Sequence, residues 1–175
     1  MRVVAALRTI PDGRAWSRCA LVYAIFLVIA LPIGLLTGLL HPQAAHVAPS
    51  AFVATALVVF LHPAFTEELI FRVLLLPREP ARMSRGRGIV IAVAALGLYV
   101  ASHPLNAIAF RPQLAVVFER PVYLALVTLL GAACTAAYWI SKSIWPPVVM
   151  HWLTVLAWLW LLGGQALLSG TIPRT

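Results

Sequence analysis

Charge is the scarcest property of this 175-residue sequence. Only 10% of its residues are charged and just five are acidic, whereas 62% are hydrophobic and the mean hydropathy is +0.96. A soluble domain carries about 25% charged residues, so this composition excludes an ordinary soluble protein. We therefore expect an integral membrane protein that forms a single domain over residues 1–175.

Other features are also missing, and each absence removes a class of function. The two cysteines, Cys19 and Cys134, lie in separate apolar segments without metal-binding or redox spacing. No glycine-rich loop predicts phosphate binding, and no serine has the flanking residues of a nucleophile elbow. No basic surface interleaved with aromatic residues predicts a nucleic acid partner. The net charge of +8 is instead typical of contacts with membrane lipids.

Five apolar segments are each close to the roughly 20 residues that a membrane-spanning helix needs. They cover about residues 19–40, 51–76, 88–103 with an extension to 110, 121–141 and 144–162. No alternation typical of β-barrel strands is present, and backbone groups in lipid must then be satisfied within helices. The sequence therefore predicts an all-α, polytopic transmembrane bundle of about five spans.

Positive residues are distributed unevenly between the two ends of these spans. One end carries nine of them, in the N-terminal tail, the second-to-third connection and the fourth-to-fifth connection: Arg2, Arg8, Arg14, Arg18, Arg78, Arg82, Arg85, Arg87 and Lys142. The other end carries Arg111, Arg120 and Arg174, and we expect His41 and His46 in its first loop. This asymmetry predicts a cytoplasmic N-terminus, followed by a retained signal-anchor helix.

Three local features carry further expectations. Gly34 and Gly38 form a GxxxG pattern that predicts close helix packing. Pro63 predicts a kink in the second span, with His62 hydrogen-bonded locally. At a rise of about 1.5 Å per residue, His103 lies too deep in a third span that begins at Gly88. We therefore expect that span to start later or to continue past Pro104.

The segment FLHPAFTEELIFRVLLLP, residues 60–77, holds three ionisable side chains in an apolar run. Each is worth about 2.5 to 3.5 kcal/mol against insertion at the centre of a membrane helix. Glu68 and Arg72 are four residues apart and share one helix face, so they can form an ion pair. Glu67 points about 100° away and has no partner on its own helix. It therefore requires partners from other spans, or water.

Two histidines in other spans are candidate partners for Glu67. His103 lies near the end of the third span and His151 lies in the fifth. Polar residues inside membrane segments mark functional sites, and we predict that the three residues share one. A buried carboxylate can take a proton from water, and imidazoles can share that proton or stabilise an oxyanion. Glu and two His are also the ligands of some catalytic zinc sites. The usual HExxH spacing is absent, so no metal ligand is assigned and zinc stays an alternative.

These residues resemble the motifs of the CAAX prenyl protease and bacteriocin-processing family (CPBP, or Abi) of glutamate intramembrane proteases. Glu67, Glu68 and Arg72 match its Glu-Glu-x-x-x-Arg motif. Tyr99 and His103 correspond to its Phe-x-x-x-His motif, with tyrosine in place of phenylalanine. The similarity covers about residues 60–160.

The resemblance implies a membrane endopeptidase of the CAAX type that cleaves a membrane-associated peptide or protein, and a location in a bacterial inner membrane. By this analogy, Glu67 activates water as a general base and His103 assists it. His151 stabilises the oxyanion, while Glu68 and Arg72 position the motif helix. A metal-independent hydrolysis is favoured, and no cofactor is expected, although the family has also been described as metalloproteases.

The third motif of the family is His-x-x-x-Asn or Asp, and it matches only in part. His151 occupies its first position, but Val155 stands where the family has the amide or acid. Asn106 is a candidate substitute donor, with a helix-capping or turn role as its alternative. The departure at Val155 favours a second hypothesis, a catalytically inactive immunity or scaffold protein of the same fold. A small transporter or proton relay is a third.

Overall fold

The computed structural model describes residues 2–45 and 47–168 of the chain. Helices account for most of this part, and no β-strand occurs within it. The helices are α1 (Arg2–Arg8), α2 (Gly13–Leu36), α3 (Pro49–Val59), α4 (Thr66–Glu68), α5 (Arg85–Phe110), α6 (Ala115–Phe118), α7 (Pro121–Ser141), α8 (Trp145–Leu161) and α9 (Gly164–Leu168). The predicted all-α fold is confirmed for these residues.

Four helical segments in the described part of the chain are long and apolar enough to cross a membrane: Gly13–Leu36, Pro49–Leu74, Arg85–Phe110 and Pro121–Ser141. The fifth predicted span corresponds to α8, which is apolar but has only 17 residues. Two prolines at its start, Pro146 and Pro147, suit the first turn of a helix, where a backbone N–H has no intrahelical partner. The third span continues past Pro104 to Phe110, which confirms one of the two alternatives that the depth of His103 predicted.

The first span begins and ends earlier than predicted. The carboxylate of Asp12 caps its start by accepting a hydrogen bond from the Ala15 N–H at 2.7 Å. It ends before Gly38, which has a left-handed φ of 68°. A Cβ on Gly34 would lie 2.3 Å from the Leu40 side chain, and Leu40 N–H donates to the Gly34 carbonyl at 2.9 Å. The expectation that this GxxxG packs two helices is therefore wrong: the two glycines let the chain turn back at the helix end.

The core of the bundle is organised around α7, the most buried of the long helices. It packs against α2, α5 and α8. One apolar cluster joins α2, α7 and α8, and its fully buried members include Cys134 and Ala137. This packing holds α5 and α8, which carry the two predicted site histidines, against the same helix.

The N-terminal helix α1 lies across the end of the bundle where most positive residues were predicted. Arg2 donates to the Leu74 carbonyl at 3.0 Å, and Trp145 Nε1 donates to the Leu7 carbonyl at 2.9 Å. Arg78 donates to both the Thr9 hydroxyl and the Lys142 carbonyl. The N-terminal tail and the two basic connections thus share one end, as predicted. That this end faces the cytoplasm remains a prediction, and Arg174 and His46 lie outside the described residues.

Candidate functional site

Glu67 and Glu68 lie on a short α-helical turn between two wider turns of the second span. The flanking segments, Phe60–Phe65 and Leu69–Leu74, have π-helical hydrogen bonding. Ahead of Pro63, the backbone of His62 leaves helical geometry, with φ −145° and ψ 120°, which confirms the predicted kink. Such π-turns are often found at functional sites, and here they set the direction in which the two glutamates project.

The predicted pair of Glu68 and Arg72 is present and completely buried. Arg72 Nε lies 3.1 Å from Glu68 Oε2, with neither side chain more than 2% exposed. The two atoms do not form a hydrogen bond, so this is an electrostatic contact. Arg72 also donates from a terminal nitrogen to the Gly131 carbonyl at 3.0 Å, which ties the motif helix to α7. Glu68 is therefore an ionised carboxylate that only accepts hydrogen bonds.

His151 bridges both glutamates from α8. Its Nδ1 lies 2.9 Å from Glu68 Oε1, and its Nε2 lies 3.9 Å from Glu67 Oε2. Since an ionised carboxylate cannot donate, Nδ1 carries the hydrogen of the first contact. In the imidazolium form, the ring carries a hydrogen on Nε2 as well. His151 can then donate from Nε2 to a group placed beside Glu67.

Glu67 differs from its neighbour because it has neither an ion pair with Arg72 nor a short contact with His151. Its side chain is 20% exposed, although its Oε2 is itself buried and forms no hydrogen bond with any described residue. The 3.9 Å separation from His151 Nε2 is too long for a direct hydrogen bond. A carboxylate with these surroundings can bind a water molecule and accept its proton.

The ring of Tyr99 lies at the centre of the site and contacts both histidines. Its centroid is 5.1 Å from the His103 ring and 6.3 Å from the His151 ring, both edge-on. The Arg72 guanidinium lies 4.3 Å above the same ring, a cation–π contact. Tyr99 thus holds three predicted site residues in position. The sequence analysis gave it no role beyond occupying the aromatic position of the motif.

His103 belongs to the cluster through its ring contact with Tyr99. Its Nδ1 contacts the Tyr99 carbonyl at 3.0 Å. A carbonyl oxygen only accepts, so Nδ1 carries the hydrogen and Nε2 keeps its lone pair in the neutral ring. Phe118 and Tyr123 also pack against the imidazole, with ring centroids 5.6 and 5.8 Å away.

The remaining candidates lie at the edges of this cluster. Asn106 is one helical turn beyond His103, inside α5 rather than in a turn, and its carbonyl accepts from the Arg111 N–H. Its side chain forms no hydrogen bond with the described residues. His62 is exposed and bonds Thr66 locally at 2.9 Å, as predicted.

The arrangement of the possible ligand side chains decides whether the site could hold a metal ion. In residues 2–45 and 47–168, no group of three or more His, Cys, Asp or Glu side chains is arranged to hold a metal ion. Glu68 already pairs with Arg72 and His151. The hydrogen bond of His103 is with the Tyr99 carbonyl of its own helix. These side chains, as they are arranged, therefore do not fit a metal ion.

Together, these features define an integral membrane protein with a buried acid and imidazole site. Comparison with protein families assigns the chain to a family. Residues 48–157 match the family described as type II CAAX prenyl endopeptidase Rce1-like, and the chain belongs to that family. The match includes every predicted site residue and confirms the resemblance drawn from the motifs. No curated protein and no solved structure has significant similarity to the chain.

Proposed function

We propose that the protein is a membrane endopeptidase that hydrolyses a peptide bond with water activated by Glu67. The observation that carries the proposal is the different environment of two adjacent carboxylates. Glu68 is neutralised by Arg72 and bonded to His151, whereas the Glu67 oxygen beside His151 Nε2 forms no hydrogen bond with any described residue. A carboxylate paired with an arginine is suited to orienting its neighbours, whereas an unpaired carboxylate is suited to accepting a proton.

The addition step uses three side chains. Glu67 accepts a proton from water as the water oxygen bonds to the scissile carbonyl carbon. The electron pair of the carbonyl moves to its oxygen, and the Nε2–H of His151 donates to this oxyanion. His103, with its Nε2 lone pair free, holds or shares the water proton. The C–N bond then breaks, and the proton on Glu67 passes to the leaving amine.

Glu68 and Arg72 support this chemistry without meeting the substrate. The Glu68 carboxylate fixes the orientation of the His151 ring through Nδ1, in the way that carboxylates orient catalytic imidazoles elsewhere. Arg72 offsets the charge of Glu68 and anchors the helix to α7 through Gly131. Removing either residue is expected to disturb both the fold and the position of His151.

The substrate class follows from the location of the site and from the family. Glu67 lies within a span that is long and apolar enough to cross a membrane, so the scissile bond must reach membrane depth. Membership in the CAAX prenyl endopeptidase family supports a membrane-associated peptide or protein as substrate, with surrounding lipids as the other partners. We place the protein in a bacterial inner membrane.

A second candidate function is a catalytically inactive immunity or scaffold protein. The observation that favours it is Val155, whose side chain offers no hydrogen bond where the family motif has an amide or acid. The two functions differ in one measurable property, since only the enzyme cleaves a substrate.

The test is a cleavage assay with purified protein in liposomes. A panel of quenched fluorescent peptides ending in CAAX sequences, with and without a prenyl group, serves as substrate. We expect cleavage by the wild type and its loss, by at least about 1,000-fold, in Glu67→Ala, His103→Ala and His151→Ala. Glu79→Ala and His41→Ala, which change residues in loops, should cleave normally.

Three outcomes would contradict parts of the proposal. Cleavage that survives Glu67→Ala rejects the assigned base. Loss of cleavage on adding a chelator, with recovery on adding Zn²⁺, establishes the zinc alternative. No cleavage of any peptide by folded wild-type protein supports the inactive immunity or scaffold function instead. Folding of each variant is checked by size-exclusion chromatography and thermal unfolding in detergent.

A further inference from the structure

No hydrogen bond between helices sets the position of His103 relative to Glu67. The Nδ1 of His103 is bonded to the Tyr99 carbonyl, one turn back in the same helix α5. In the described part of the chain, the imidazole forms no hydrogen bond with any other segment. His151, by contrast, is bonded across two spans to Glu68. Packing against other segments must therefore fix where the Nε2 of His103 lies relative to the reacting water.

Phe118, the last residue of α6, supplies such a packing contact. Its ring centroid lies 5.6 Å from that of the His103 imidazole, at an interplanar angle of 61°, within the range of edge-on contacts that aromatic rings prefer. Tyr99 approaches the same imidazole at 5.1 Å and 84°, but it belongs to α5 and moves with His103. The contact with Phe118 instead relates the imidazole to a different segment of the bundle.

The short helix α6 is itself anchored, so Phe118 has a fixed base. Val117 is fully buried in an apolar cluster that includes Leu39 from the end of the first span. The Nε of Arg120 donates to the Val116 carbonyl at 3.0 Å and satisfies one of the carbonyls left free at the end of the helix. Phe118 is therefore held by contacts on the residues before and after it.

A row of aromatic rings continues from Phe118 to the helix that carries His151. Phe118 stacks on Tyr123 of α7, with centroids 5.0 Å apart and an angle of 9° between the planes. Tyr123 contacts the His103 imidazole at 5.8 Å and Trp158 of α8 at 6.0 Å. Trp158 lies about two turns beyond His151 on α8. The rings thus connect the helix of one site histidine to the imidazole of the other.

We propose that Phe118 is a positioning residue for the reaction, because its ring holds the His103 imidazole in the orientation in which Nε2 meets the water that Glu67 activates. This inference rests on the proposed peptidase function. Phe118 acts through His103 and has no part in the proton transfer itself. Its ring replaces the interhelical hydrogen bond that His103 lacks.

The test measures kcat and KM of Phe118→Leu in the liposome assay. Leucine keeps an apolar side chain but removes the ring that packs on the imidazole. Since a misplacement of about 1 Å can cost about 100-fold in rate, and Tyr123 still contacts His103, we expect kcat to fall by about 10- to 100-fold. KM should stay within about threefold, because the proton transfer belongs to the chemical step. Phe118→Tyr keeps the ring and should retain kcat within about threefold of wild type.

Phe26→Leu is the matched control for a general loss of packing. Phe26 also stacks on a tyrosine, Tyr23, with centroids 5.9 Å apart and an angle of 16° between the planes. It belongs to the buried cluster of α2, α7 and α8. Phe26→Leu should therefore lower the thermal stability and leave kcat within about twofold of wild type.

A double variant shows whether Phe118 acts through His103. In the His103→Ala background, measured in single turnovers with excess enzyme, Phe118→Leu should change the residual rate by less than about twofold, because effects on one unit are not additive. An equal loss in both backgrounds overturns the inference. So does a kcat for Phe118→Leu within about threefold of wild type while Glu67→Ala is inactive, and the proposed function then stands.

Two further results are decisive. Failure of folded wild-type protein to cleave any peptide contradicts the proposed function itself, and the inference with it. Should Phe118→Leu fold poorly, Phe118→Met is judged by the same limits on kcat and KM, since the flexible methionine side chain fills irregular gaps in a core but offers no ring to the imidazole.

Discussion

Arg72→Met is expected to destabilise the protein by about 3–5 kcal/mol, the cost of leaving a buried charge without its partner. In the wild type, the guanidinium balances Glu68 inside a fully buried pair. Methionine fills a similar volume but leaves the Glu68 carboxylate uncompensated, and the Gly131 carbonyl loses its donor. Unfolding in mixed detergent micelles measures the change in free energy.

A double variant and a surface control isolate the physical cause. Combining Arg72→Met with Glu68→Gln removes both charges, so the double variant should be more stable than Arg72→Met alone. Arg82→Met makes the same substitution in an exposed ion pair with Glu79 and should cost no more than about 1 kcal/mol. Equal losses of stability in Arg72→Met and Arg82→Met would show that burial does not increase the contribution of the ion pair to stability.

Helix geometry explains how much of this site could be predicted from the sequence. The spacing of Glu68 and Arg72 is four residues, and their contact follows from 3.6 residues per turn. The same geometry correctly separated Glu67 from the pair. The apolar segments were also predictable, because about 20 apolar residues in a row have few alternatives to a membrane helix. Each of these inferences needs only neighbours along the chain.

Contacts between helices were less accessible, and His151 illustrates the reason. The sequence places it in the same membrane region as both glutamates, but does not say which carboxylate it meets. The structure gives its short contact to Glu68 and the longer one to Glu67. That choice depends on the two π-turns around the glutamates, which rotate the helix in a way that no residue pattern specifies.

Aromatic packing was the second gap. Tyr99 was recognised as part of a motif, yet its contacts with Arg72 and His151 depend on how α5 faces the Leu69–Leu74 segment and α8. The N-terminal helix α1 was missed for a related reason. Its seven residues are too few to form a stable helix in isolation. The helix therefore depends on contacts with distant parts of the chain, such as that of Leu7 with Trp145.

Gly131→Ala is expected to destabilise the protein by about 1–3 kcal/mol, the usual cost of an extra methyl group in a packed core. An added Cβ would lie 2.6 Å from Leu96 Cδ1 and 2.8 Å from Tyr99 Cδ1. The Leu96 side chain can rotate away, but the Tyr99 ring is held by Arg72 and two imidazoles. Movement of that ring shifts His103 and His151 together, so kcat should fall as well as stability.

The matched control is Gly97→Ala on α5, where an added Cβ meets no atom within 4 Å. Alanine is favoured over glycine inside a helix by about 0.5–1 kcal/mol, so this variant should be as stable as the wild type or more so. Adding Leu96→Ala to Gly131→Ala separates the two contacts. Because the rigid neighbour is Tyr99, removing the leucine should restore little activity. Full recovery of kcat would instead show that the strain arises at Leu96. The site would then tolerate a small movement of the Tyr99 ring.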